Sequence, residues 1–328
     1  MKAARILRPG GPDVLEITDV DPPEPKPGEV LVDVRCTALN RADLLQRRGQ
    51  YPPPEGVRAD IPGLEYAGVV AGVGAGGDES AVGSWVMGLL PGGGYAERVV
   101  TPHDQMLTIP EGLEFAGGAA VPEAFFTAWD ALLQAGFAPG MSVLVHAAGS
   151  GVGTAALQLA HAFGAARVFG TASEAKLEAI ASLDLPLDVP IDYRTHAFRD
   201  VVRRETGGKG VDVILDLVGA SYWTDNLASL AVGGRIVLIG LVGGITAQTN
   251  LGVLLRRRLR VIGTAMRSRT ADEKKAIANR VRTDLLPLFA AGSLRPVIDR
   301  VFPLEQVVAA HQYMEENRNA GKIVLRVS

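Results

Sequence analysis

Cysteine is nearly missing from this 328-residue chain, with Cys36 standing alone. A lone thiol excludes an internal disulfide framework and any zinc site built on paired cysteines, and it suits a reducing compartment. No apolar run approaches the roughly 20 residues needed to cross a bilayer. Met1-Lys2 leads straight into a strand-like segment, Ala3 to Leu7, without an apolar signal core, so a cytoplasmic location is expected. Neither sign of charge dominates: 33 Lys and Arg against 36 Asp and Glu leave a net charge of −3, with no push toward nucleic acid or an acidic membrane face. Repeats and low-complexity tracts are absent. None of the 5 histidines has metal-like or Ser/His/Asp spacing, and His146, ending a strand beside a turn, reads as structural.

What is present is an apolar content of 47%, enough for two domains each with its own core. Residues 1 to about 122 read as β-rich, with short runs such as Glu29–Arg35, Ala67–Ala71 and Ser84–Gly88 between Gly and Pro clusters. That spacing suggests a small barrel-like β domain with one helix, Asn40 to Arg48. At Val121–Gly136 the pattern becomes helical: Pro122 and Glu123 suit a first turn, and Phe125, Phe126, Trp129, Leu132 and Leu133 form a stripe. The domain boundary is therefore placed there, giving 1–122 with 266–328 and 123–265.

Within the central domain, six apolar strands are expected at Val143–Val145, Arg167–Thr171, Val189–Asp192, Val211–Leu217, Arg235–Leu241 and Arg260–Thr264. Helices should begin near Thr154, Glu174, Phe198, Tyr222 and Leu251. This alternation argues for a doubly wound α/β domain, a parallel sheet covered on both faces. Later pieces break the alternation and should rejoin the first domain: a long helix Ala271–Ala291, Leu294–Val301, a helix Leu304–Asn317 and a strand Lys322–Val327.

The run Met141–Gly164 passes from strand through a small-residue turn into a helix. Unpaired N–H groups and the positive end of the helix dipole can hold an anion there, and small side chains let a pyrophosphate approach. Against G-x-G-x-x-G the best register reads Ala148, Ser150 and Gly153, with Gly149 and Gly151 as extra glycines. At the end of the second strand, where an acid would bind the ribose of NAD, stand Thr171, Ala172 and Ser173 with Lys176 nearby. The missing acid favours NADP, with Lys176 a mobile point charge for its phosphate or, alternatively, a solvated helix residue. Glu174 should point away. Tyr193 can cover the adenine edge or pack in the core.

Taken together, several motifs resemble the zinc-free quinone oxidoreductases (zeta-crystallin-like) of the medium-chain dehydrogenase/reductase superfamily, and within them the branch of the tumour-suppressor-inducible quinone oxidoreductase. Those motifs are Pro27-Gly-Glu-Val-Leu-Val-Asp-Val, Leu39-Asn-Arg-Ala-Asp-Leu, Gly49-Gln-Tyr-Pro-Pro-Pro, Gly63-Leu-Glu, Gly94-Tyr-Ala-Glu, Val145-His-Ala-Ala-Gly-Ser-Gly-Val-Gly, Gly219-Ala-Ser-Tyr-Trp and Gly321-Lys-Ile-Val-Leu. The resemblance implies a six-stranded Rossmann domain that binds NADPH and a GroES-like catalytic domain. Zinc-dependent relatives carry Cys where this chain has Asn40 and His where it has Leu64, so no metal is expected. Catalytic positions implied are Asn40, Asp43 and Tyr51. Cofactor positions implied are Thr127, Gly151, Val152, Ser173, Lys176, Tyr193, Gly240, Leu241, Met266, Arg267, Ser268 and Asn317.

Plainer roles stay open: Asn40 and Asp43 also fit a helix cap, Tyr51 loop packing, and Arg267 a surface pair. The implied activity is NADPH-dependent quinone reduction, with Tyr51 and Asn40 as donors to the developing oxygen charge and water as the proton source. Reduction of activated C=C bonds in enones or enals fits the same site. A non-enzymatic NADPH- or RNA-binding role has only Arg256-Arg257-Arg258 and Arg260 to support it, which also fit a solvated helix end. A homodimer through edge strands of the parallel sheet is implied.

Overall fold

The computed structural model describes all residues, Met1 to Ser328. It divides into two compact units, Met1–Phe126 with Met266–Ser328, and Thr127–Ala265.

The first unit opens with a hairpin of β1 (Lys2–Ile6) and β2 (Leu15–Asp19). Then come β3 (Glu29–Ala38), α1 (Arg41–Arg47), β4 (Glu65–Val73), β5 (Trp85–Leu89), β6 (Arg98–Pro102), β7 (Leu107–Thr108), α2 (Phe115–Ala119) and the start of α3 (Pro122–Gln134). β3 alternates as the period of a strand requires, burying Val30, Val32 and Val34. Those valines pack with Tyr66, Val70, Val86 and Val99 in one core.

The division between units falls inside α3, after Phe126. The expected boundary lay at Pro122, where the helix begins.

The second unit is an unbroken alternation: β8 (Ser142–Val145), α4 (Gly151–Ala162), β9 (Arg167–Ala172), α5 (Glu174–Ser182), β10 (Val189–Asp192), α6 (Phe198–Glu205), β11 (Val211–Asp216), α7 (Trp223–Ser229), β12 (Leu230–Leu238), α8 (Leu251–Arg257) and β13 (Arg260–Gly263). Its six strands are all parallel in the order β10-β9-β8-β11-β12-β13. The direction of winding reverses beside β8, where open α/β sheets bind ligands outside the carboxyl ends of their strands. Two elements depart from expectation. α4 starts at Gly151 rather than Thr154 because Ser150 caps it, its Oγ accepting from the Gly153 N–H at 3.0 Å. β12 runs from Leu230 to Leu238 rather than from Arg235 to Leu241: Leu230 pairs with Val211, and past Leu238 the N–H groups of Ile239 and Gly240 both turn onto Asp216 O.

The chain then returns to the first unit with α9 (Ala271–Asp284), α10 (Leu286–Ala290), β14 (Ile298–Pro303), α11 (Val307–Glu315) and β15 (Lys322–Arg326). The single helix expected over 271–291 is broken at Leu285, because Pro287 has no N–H to give Thr283 and its ring crowds that carbonyl. Likewise 304–306 is a 3-10 turn ahead of α11. β15 joins the sheet against β3, in the order β14-β15-β3-β4-β5-β7, with β6 also on β3.

Candidate active site

In the first unit four chain segments deliver polar groups to one buried point: the N-cap of α1 (Asn40), the first residue of β4 (Glu65), the first turn of α3 (Glu123) and the first residue of β15 (Lys322). Lys322 Nζ donates to Leu39 O at 3.0 Å, Asn40 Oδ1 at 2.7 Å and Glu65 Oε1 at 2.6 Å, so its three N–H groups have three acceptors. Glu65 Oε1 also accepts from Asn40 Nδ2 at 2.8 Å, and Oε2 from the Glu123 N–H at 2.8 Å. Glu65 is fully buried and Lys322 nearly so.

Asn40 therefore has its amide directed into the chain, Nδ2 to Glu65 and Oδ1 to Lys322. Asp43 is fully buried too, accepting from the N–H groups of Asn40 at 2.7 Å and Gly63 at 3.1 Å and from the Tyr95 hydroxyl at 3.0 Å. Burial pushes its carboxyl up to about 6 against the pull of those donors and of Lys322. Its bonds fix the start of α1 and the 63-region loop.

Tyr51 is half-buried, and no hydrogen bond within the chain engages its hydroxyl. Its ring lies under the guanidinium of Arg267, 4.9 Å from the ring centre. Arg267 is buried rather than a surface pair. It donates from Nε to Pro91 O at 2.8 Å, from Nη1 to Tyr51 O at 3.1 Å and from Nη2 to Gln46 Oε1 at 2.7 Å. Beside it opens a cavity of about 290 Å³ whose lining includes Leu64, Leu90, Glu123, Met266, Arg267 and Lys274. Leu64 is thus an apolar wall. Glu123 is half-buried on it, and burial with the Glu65 charge pushes its carboxyl up to about 8 although Lys322 and Arg267 oppose.

The second unit gathers its expected cofactor residues along one edge of the parallel sheet. Gly151 and Val152 follow β8, Ser173 and Lys176 follow β9, Tyr193 follows β10, and Gly240 and Leu241 follow β12. A Cβ on Gly153 would stand 2.3 Å from Ala147 O, so only glycine lets α4 pack this close to the turn. A Cβ on Gly149 would meet the aliphatic stem of Lys176 at 2.9 Å, so that side chain lies along the turn. Ser173 is the N-cap of α5 but makes no side-chain cap bond, and Glu174 points to solvent. Tyr193 is exposed, which removes core packing as its explanation. Thr127 Oγ1 is buried without a hydrogen-bond partner. An orphaned hydroxyl, a turn that tolerates no side chain and the free N–H groups of α4 fit a dinucleotide.

His146, beneath the turn, is fully buried between Thr171 Oγ1 at 2.8 Å and Asn226 Oδ1 at 2.6 Å. Asn226 in turn donates to Asp216 at 3.0 Å. Met266, Arg267, Ser268 and Asn317 belong to the first unit, where Asn317 accepts from Arg41 at 2.9 Å. Of the basic run, Arg257 donates to Leu227 O at 2.7 Å at the end of α7. Sequence reasoning gave no role to Lys322 and read Glu123 only as a first-turn acid. A lysine opening an otherwise apolar strand was the available signal.

Residues 26–111 match the alcohol dehydrogenase GroES-like domain, and residues 185–325 match the zinc-binding dehydrogenase domain. Quinone oxidoreductase of Sus scrofa is 33% identical, covering 99% of this chain and 97% of that protein. The chain belongs to the medium-chain dehydrogenase/reductase superfamily. Within that superfamily it is quinone-oxidoreductase-like. The synaptic vesicle membrane protein VAT-1 homolog of Rattus norvegicus is 36% identical over 93% of this chain and 78% of that protein. Among solved structures, an NAD-dependent alcohol dehydrogenase superposes with a TM-score of 0.88 at 34% identity, covering all of both chains. JamJ enoyl reductase superposes with a TM-score of 0.88 at 27% identity over 100% of this chain and 99% of that one. A medium-chain dehydrogenase/reductase fold implies a nicotinamide cofactor and a small-molecule substrate, and no helix here is long and apolar enough to cross a membrane.

Proposed function

We propose that this oxidoreductase reduces quinones with NADPH and without a metal. The observation that carries this reading is the centre at Asn40. Where zinc-dependent relatives place a thiolate and an imidazole, this chain has an amide held by Glu65 and Lys322 and the apolar side chain of Leu64. Neither is a zinc ligand, and an ammonium already supplies a positive charge beside Glu65. NADPH over NADH is supported by Ser173, whose hydroxyl has no partner in the chain, by Lys176 along the turn and by the lack of an acid at the end of β9.

When bound, the dinucleotide supplies the hydride. The chain's own residues then orient and polarise the acceptor. Tyr51, with its hydroxyl unengaged and its ring fixed under Arg267, is the donor to the acceptor oxygen. Asn40 and Asp43 hold α1 and the neighbouring loop, and so act as positioning residues. Leu64, Leu90 and Met266 give the flat acceptor an apolar wall.

The likeness to an enoyl reductase favours a second reading, reduction of activated C=C bonds, with the same residues polarising an enone oxygen. The deciding experiment is an oxidation screen over ortho- and para-quinones and enones, with NADPH, NADH and EDTA arms. NADPH-preferring, EDTA-indifferent turnover is expected. Stoichiometric zinc in the purified protein, or turnover confined to alcohols, would overturn the reading.

A further inference from the structure

We propose that Glu123 is the acid that hands a proton to the oxygen of the electron acceptor, a role that rests on the reductase reading above. Its main chain is fixed, because the N–H is held by Glu65 Oε2 at 2.8 Å. Its side chain is not: no hydrogen bond or ion pair within the chain engages the carboxyl group, which lines the cavity with Leu64, Leu90, Met266, Arg267 and Lys274. An acid in a first helical turn ordinarily serves as an anion for the helix dipole or as a cap. Here Glu65 already takes the backbone N–H, so Glu123 is not needed for that task.

The charged and titratable groups facing Glu123 are Glu65, Asp43, Lys322, Arg267, Lys274 and Tyr51. Burial and the Glu65 charge outweigh the cations, so at neutral pH the carboxyl keeps its proton. A neutral carboxylic acid with a free O–H on a largely apolar wall is a donor without an acceptor, which is what a quinone or enone oxygen supplies. In the step, the acceptor takes a hydride from the reduced dinucleotide and gains two electrons. The Glu123 O–H bond breaks as a new O–H bond forms on the acceptor. The carboxylate left behind, near Arg267 and Lys274, recovers its proton from water, and the dinucleotide ends oxidised by two electrons.

Two readouts test this, the first of them without cofactor. In protein carrying ¹³C-labelled glutamate carboxyls, wild type should show one carboxyl titrating near pH 8 that is missing from Glu123→Gln. In turnover with a quinone, wild-type kcat/KM should fall above that pH. Glu123→Gln should be lower by on the order of 100-fold at pH 7 and flat across the same range, with KM for NADPH unchanged. Should Glu123→Gln fail to fold, Glu123→Asp takes its place and should keep a falling alkaline limb at reduced rate. A Glu123 carboxyl titrating near pH 4, or a Gln variant within threefold of wild type that keeps the alkaline limb, overturns the proposal. If the carboxyl titrates near 8 but wild type reduces no quinone or enone, the reductase reading has failed, and the proton-donor role falls with it.

Discussion

Replacing Lys322 with methionine keeps most of the side-chain volume and removes one charge. In the native chain that ammonium touches three oxygens, and its ion pair with Glu65 lies almost wholly out of water. Breaking a buried pair by removing one partner costs about 3–5 kcal/mol, because the remaining carboxylate is left uncompensated. Urea unfolding of wild type and Lys322→Met at pH 7 measures the loss. Adding Glu65→Gln to the variant should recover a large part of it, since the stranded charge is gone. A penalty below about 1 kcal/mol, or no recovery in the double variant, would refute the reasoning: the pair would then be solvated and Lys322 would not be compensating Glu65.

His146 should set part of the acid limb of stability. Burial lowers its folded value to about 4 from 6.5, so its contribution is complete above pH 6.5 and is lost as pH falls toward 4. That drop amounts to about 3 kcal/mol and should shrink in His146→Gln, as read by thermal melts from pH 7 to pH 4. Asp43, raised to about 6, works the other way across its own window, from 3.8 to 6, losing stability as pH rises. In the same melts, Asp43→Asn should remove that opposing slope. Tyr51→Phe should lower kcat/KM for a quinone by about 10- to 100-fold with KM for NADPH unchanged, which steady-state kinetics will show. The edge strand β13 leaves Val261 exposed, and nearby Leu251 and Leu255 are 71% and 80% exposed, which suits pairing with a second copy. Such pairing predicts that the wild-type chain sediments as a dimer and that Leu255→Asp shifts it toward monomer; a wild-type chain that sediments as a monomer would refute it.

How much of this was legible in the sequence depends on how far apart the interacting residues lie. The second unit could be read almost strand by strand, because each parallel strand is an apolar run and each helix announces itself within a dozen residues. Ser150, Gly151 and Gly153 are neighbours in the chain, so the turn they form is a local property. Asn40 and Asp43 are equally local, and their helix cap was visible as an alternative. Arg267 was open as a surface pair. Its acceptors, at Gln46, Tyr51 and Pro91, lie 176 to 221 positions away. Lys322 and Glu65 are separated by 257 positions, and no periodicity or spacing connects them. They meet because β15 docks against β3 and β3 against β4, a register fixed by valines and leucines that carry no information about charge. Glu123 shows the same limit more sharply. Its position in a first helical turn predicts an anion from sequence alone, whereas tertiary packing buries the carboxyl and brings in the carboxylate of Glu65, which takes over the helix N–H and adds to the burial that pushes the Glu123 carboxyl up. The chemistry at such a point follows from which chain ends the sheet brings together, so a reader of sequence can find the cofactor turn and still miss the acid.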